Sequence, residues 1–92
     1  MAQAGSDQTV GLRQSVYLDG SASSDSDGAI VHYQWTQVSG KKVSLNNAAD
    51  SVANFVSPNV RRGRTLMLVF ELKVTDNQGA SATDQVTVTV SR

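Results

Sequence analysis

Apolar and polar residues alternate with a period of two along most of this chain, and no stretch carries the 3.6-residue apolar stripe of an amphipathic helix. Ser15-Val16-Tyr17-Leu18-Asp19 predicts a strand with Val16 and Leu18 on one face. Residues 30–38 predict another, with Val31, Tyr33 and Trp35 sharing a face opposite His32, Gln34 and Thr36. Residues 65–75 predict the longest strand, with Leu68, Phe70, Leu72 and Val74 on one side, and residues 84–90 give the cleanest alternation. Three weaker strands complete the pattern: Thr9-Val10, Val43-Ser44-Leu45 after a Ser39-Gly40-Lys41-Lys42 turn, and residues 53–56. Pro58 closes the last of these, because proline has no N–H to give to a ladder. Asp76-Asn77-Gln78-Gly79 is a turn whose residues suit positive φ.

Seven short strands separated by regular turn signals predict an all-β sandwich, two antiparallel sheets facing each other across one core. Trp35 belongs to that core by its shared parity with Val31 and Tyr33. Four of the five aromatic residues (Tyr33, Trp35, Phe55 and Phe70) fall on core faces, which leaves Tyr17 alone outside. One inconsistency stands in the longest strand, where Met67 and Val69 lie opposite Leu68 and Phe70. Either a bulge restores parity there or the sheet exposes apolar side chains able to meet a second copy.

Composition narrows the function. The 92 residues form one domain, marginal in size, with no cysteine to staple it. Zero net charge and 17% charged residues leave no basic footprint for nucleic acid. No apolar run is long enough for a membrane helix, no signal peptide opens the chain, and no Asn-x-Ser/Thr acceptor occurs. The expected organisation is a single domain over residues 1–92, with residues 1–6 as an entering linker, cut from a larger protein whose other parts carry the targeting signals.

Leu18-Asp19-Gly20-Ser21-Ala22-Ser23-Ser24-Asp25-Ser26-Asp27-Gly28, then Tyr33-Gln34-Trp35-Thr36-Gln37-Val38-Ser39-Gly40, then Phe70-Glu71-Leu72-Lys73-Val74-Thr75-Asp76-Asn77-Gln78-Gly79 and Val86-Thr87-Val88-Thr89-Val90 follow one another in order. In that order they resemble the PKD (polycystic kidney disease) domain over nearly the whole chain. The Trp-Thr-Gln-Val-Ser-Gly form is similar to that of large bacterial and archaeal surface proteins. The resemblance implies a seven-stranded immunoglobulin-like sandwich and an extracellular or cell-surface accessory module, often repeated in tandem beside catalytic or adhesive domains. The basic, apolar approach of residues 61–69 to the longest strand departs from the family pattern.

In an immunoglobulin-like topology the Asp25–Asp27 loop, residues 46–50, Asp76-Asn77 and the chain entry at residues 4–7 share one end. Asp25, Asp27 and Asp76 are therefore candidate calcium ligands, with loop carbonyls and water completing a shell of six to eight oxygens. Some PKD modules bind calcium with equivalent positions, and the expected affinity class is that of extracellular modules, roughly 10⁻⁴ to 10⁻³ M. The alternative is that Asp-Ser-Asp-Gly and Asp76-Asn77 build their turns by side-chain to backbone hydrogen bonds with no metal.

Catalysis has little support. His32 alternates onto the outer face, no serine stands in a nucleophile elbow, and Asp25 and Asp27 on one short loop cannot flank a sugar from two sides. Arg61, Arg62 and Arg64 form the densest positive patch, at the end opposite the acidic loops. They read either as a solvated loop or as a contact for an acidic polysaccharide or for the acidic end of a following module. The expected function is a non-catalytic spacer or interaction module, monomeric in isolation, whose partners are the neighbouring domains of its own chain. The alternatives are a polymer-binding module for a polysaccharide or collagen, and homotypic adhesion through the Met67/Val69 face.

Overall fold

A computed structural model describes residues 2–23 and 29–91. Six strands follow in order: β1 (Gln8–Val10), β2 (Ser15–Asp19), β3 (Ile30–Ser39), β4 (Val52–Val56), β5 (Thr65–Asp76) and β6 (Ser81–Ser91). Four of them form one sheet in the order β1-β6-β5-β3, and β2 pairs with β4 in the second. All pairings are antiparallel except β1 with β6, which run parallel from Gln8 beside Val88 to Val10 beside Val90. The all-β sandwich is as the alternation predicts.

The core lies between the sheets. Leu68, Phe70, Leu72 and Val74 of β5, Val86, Val88 and Val90 of β6, and Trp35 of β3 face Val16 and Leu18 of β2 and Ala53 and Phe55 of β4, all buried. Phe55 and Phe70 join the layers directly, with ring centroids 5.0 Å apart at 37°. His32 and Tyr17 stand outside, as expected from their parity.

Two local departures have physical causes. Val31 is 51% exposed rather than turned inward. The register of β3 against β5 shifts between Ile30 and His32, so Val31 is the extra residue of a bulge and its side chain leaves the face of Tyr33 and Trp35. Residues 43–45 form no strand, so six strands stand where seven are expected. There the Gln37 side chain replaces a ladder. Its Oε1 accepts from the Val43 N–H at 3.0 Å, and its Nε2 donates to the Lys41 carbonyl at 2.7 Å. Val43 and Leu45 still pack against the core, and the Trp35 N–H donates to the Ala48 carbonyl at 2.7 Å.

The apolar parity break in β5 is not repaired within that strand. β5 pairs with β6 in unbroken register from Thr65 to Thr75. The bulge sits instead on β3, between Gln37 and Ser39. Met67 is therefore left 62% exposed, with Val69 half-buried beside it.

The segment before β1, expected to be a linker, packs onto the domain. Ala2 and Ala4 are buried, and the Ala4 N–H donates to Asp84 Oδ2 at 2.8 Å. Ser57 ties the opposite end. Its hydroxyl donates to the Gly11 carbonyl at 2.7 Å and accepts from the Gln14 N–H at 2.8 Å, while the residue is only 1% exposed. Replacing Ser57 by alanine strands both backbone groups, and a loss of about 1–3 kcal/mol is expected in urea unfolding. An unchanged midpoint would mean that water or another group takes over these bonds.

Candidate functional site

The strand directions put chain entry and chain exit at opposite poles. The entering segment runs parallel to β6 from near its start, with Ala4 bonded to Asp84 and Asp7 to Thr87, whereas Ser91 lies beside Thr65 at the far end of the sheet. The body measures 48 × 18 × 17 Å, so the poles are the narrow ends of a short rod.

The entry pole gathers the loops that the sequence brings together. The Asn77 N–H donates to the Ala29 carbonyl at 3.0 Å, joining the β5–β6 turn to the loop before β3. The Gln3 N–H donates to Ser23 Oγ at 2.9 Å, and the Gly20 N–H to the Ser51 carbonyl at 2.7 Å. The carboxylates here work as turn acceptors. Asp76 Oδ1 accepts from the Gln78 and Ala80 N–H groups at 2.9 and 2.8 Å. Asp19 Oδ1 accepts from the Ser21 N–H at 2.9 Å, and the Ser21 side chain and backbone together hold its carboxyl below the usual range. Asp25 and Asp27 lie outside the described residues. Among the described residues no three His, Cys, Asp or Glu side chains are grouped to hold a metal ion.

The exit pole carries the arginines. Residues 61–64 form a turn closed by the Arg64 N–H on the Arg61 carbonyl at 2.9 Å, with Gly63 at φ 78°. Arg61, Arg62 and Arg64 are all exposed. Arg61 and Arg64 line a shallow cleft of about 400 Å³ together with Lys41, Asn59, Val60, Thr65 and Leu66. Lys41 was not singled out by the sequence reading. Gly40, at φ 94°, lies against the Met67 carbonyl and Leu68, so Lys41 comes to the arginine turn across the sheet. A usable signal was present, because residues 29–49 and 51–70 contain no aspartate or glutamate.

The outer faces offer no aromatic platform among the described residues. Tyr17 is the one exposed aromatic, beside Asn54 on the two-stranded sheet with Val56 nearby.

A model of the K319L-like PKD domain matches residues 4–90. The chain is 35% identical over 91 residues to the mouse low-density lipoprotein receptor-related protein 11, covering 98% of this chain and 18% of that protein. The chain thus spans under a fifth of the length of this curated relative. Among solved structures, the solution structure of the PKD domain from the KIAA 1837 protein aligns at a TM-score of 0.82 with 37% identity, over 98% of this chain and 84% of that one. A 2,6-sialyltransferase of the bacterium Photobacterium shares the fold at a TM-score of 0.68 and 19% identity, over 95% of this chain and 17% of its own.

Proposed function

Since the chain belongs to the K319L-like PKD domain family, we propose that it is a non-catalytic extracellular module that holds the neighbouring domains of a longer surface protein apart. One observation carries this reading: the chain enters at one pole of a 48 Å rod and leaves at the other. A module with that geometry adds its own length to the distance between whatever precedes and follows it. The packed entry segment supports the reading further, because buried Ala2 and Ala4 leave little slack between the rod and an upstream neighbour. The similarity to a much longer receptor-related protein supports placement at the cell surface.

The test is to insert the chain between two fluorescent proteins and measure energy transfer. Measured on single molecules, one narrow distribution of transfer is expected from the folded insert, broadening and shifting to lower transfer when Trp35→Ala unfolds it, since an unfolded chain of this length spreads its ends over many separations averaging roughly 50–70 Å. A distribution from the folded insert as broad as that from the unfolded one would overturn the spacer reading.

Calcium at the entry pole is the finer part of the proposal. Asp25, Asp27 and Asp76 would hold the ion and stiffen the joint with the upstream neighbour. The Ala29–Asn77 bonds, which bring the two loops side by side, support it. The use of Asp76 Oδ1 by two backbone N–H groups supports the metal-free alternative. Melts in EDTA and in millimolar calcium separate the two. A calcium-bound native state gains about 1.4 kcal/mol at a concentration tenfold above Kd, and the gain disappears in Asp25→Asn/Asp76→Asn. Superimposed melts would leave these aspartates as turn residues.

A further inference from the structure

The charges of this neutral molecule are sorted along its axis. Arg13, Lys41, Lys42, Arg61, Arg62 and Arg64, six of its eight lysines and arginines, sit on the loops of the exit pole. The Arg13 N–H donates to the Ser57 carbonyl at 3.0 Å, which holds the β1–β2 turn beside the residues leading into the arginine turn. The segments that build this pole, residues 10–15, 39–45, 56–66 and 89–91, hold no aspartate or glutamate. Among the described residues, these segments therefore offer its guanidinium and ammonium groups no aspartate or glutamate to pair with.

We infer that the exit pole binds a sulfated polysaccharide chain, seated in the cleft between Lys41, Arg61 and Arg64. Three features of the pole select this partner. The cations come from separate loops and are spread over a surface, which fits a polymer with repeated charges better than a single ion. Arginine predominates, and its planar fork of N–H donors matches the oxygens of a sulfate in pairs. The cleft of about 400 Å³ is shallow and open, and its lining includes Asn59 and Thr65, which can bond sugar hydroxyls, and Leu66.

The acidic pole of a second copy is the rival occupant, and it fits less well. Asp19, Asp76 and Asp84 each already accept from backbone N–H groups of their own domain. Docking them against arginines would give exposed ion pairs, individually worth only about 0–1 kcal/mol. The inference is independent of the spacer reading, since a rod can hold a glycan chain at one end whether or not it separates domains.

The experiment measures binding of the 92-residue chain to a heparin-derived octasaccharide by calorimetry at about 50 mM salt, where screening is weak. Saturable binding is expected, weakening as salt rises because counterions are displaced from the polyanion. Arg61→Gln/Arg64→Gln should weaken it at least tenfold while leaving the melting temperature in place, because both side chains are exposed. Lys73→Gln, which removes one exposed charge far from the cleft, should leave it unchanged.

Absence of binding would overturn the inference. Equal weakening by Lys73→Gln would do so as well, by showing an unlocalised attraction. Equal binding of hyaluronan, which carries carboxylates and no sulfate, would overturn the choice of sulfate. A molecular mass that grows with protein concentration in the absence of glycan, and that reverts in the double arginine variant, would hand the pole to a second copy.

Discussion

Trp35→Ala is expected to unfold the domain or to remove about 3–5 kcal/mol of its stability, the cost of emptying the largest buried side chain in a core this small. Trp35 stands in register with Leu72, and its Cζ2 lies 3.1 Å from where a β-carbon on Gly20 would be. The indole thus fills space that Gly20 leaves open. Its Nε1 finds no hydrogen-bond partner among the described residues, and a buried unpaired N–H costs stability. Trp35→Phe should therefore cost less than its lost volume suggests, because it deletes that orphaned donor along with part of the ring. His32→Ala, on the outer face of the same strand, should shift the denaturant midpoint hardly at all. Comparable losses for Trp35→Ala and His32→Ala would mean that inner and outer faces of β3 have been misassigned.

Gly40→Ala is expected to be the most damaging single methyl group in the chain. Gly40 has φ 94°, which costs an alanine about 1–2 kcal/mol by itself. The added β-carbon would also run into the Met67 carbonyl oxygen and sit 2.9 Å from Leu68 Cδ2. Backbone cannot yield as a long side chain can, and such overpacking adds about 1–3 kcal/mol. In a domain of this size each kcal/mol lowers the melting temperature by roughly 4–8 °C. Gly63→Ala is the matched control. Gly63 has φ 78° with nothing within 4 Å of its added carbon, so only the conformational cost remains. Equal melting temperatures for the two variants would show that the close approach of Gly40 to β5 contributes nothing. A further consequence follows for the exit pole, because displacing residue 40 moves Lys41 away from Arg61 and Arg64.

The sandwich was legible in the chain because period-two alternation is a local property. Leu68, Phe70, Leu72 and Val74 need no knowledge of their partners to declare one face apolar, and the same holds for Val86, Val88 and Val90. Alternation fails where one residue is added. The bulge at Val31 reverses parity within two positions of Tyr33, and nothing in Ala29-Ile30-Val31-His32 distinguishes it from a regular strand entry. Residues 43–45 misled for a related reason. Their apolar positions do face the core, yet their backbone is held by the Gln37 side chain rather than by a neighbouring strand.

The candidate sites divide the same way. Asp76 could be named from its turn, and the structure shows which backbone N–H groups it accepts. Arg61, Arg62 and Arg64 could be named as a charge run, whereas Lys41 is marked in the sequence only by the lack of aspartate and glutamate around it, which does not say that it meets them. Lys41 precedes them by twenty residues or more and reaches them through the register of β3 on β5 and the close seat of Gly40.

What the sequence by itself determined is therefore the class of fold, the inward and outward faces of most strands, the family, and the opposite signs of the two sets of loops. These follow from residue type and spacing within one element. The tertiary structure alone decided the length of the rod, the packing of Ala2 and Ala4 into it, the positions of the bulges, and the meeting of Lys41 with the arginine turn. Each of those depends on which distant backbone lies alongside, and distance in the chain carries no record of distance in space.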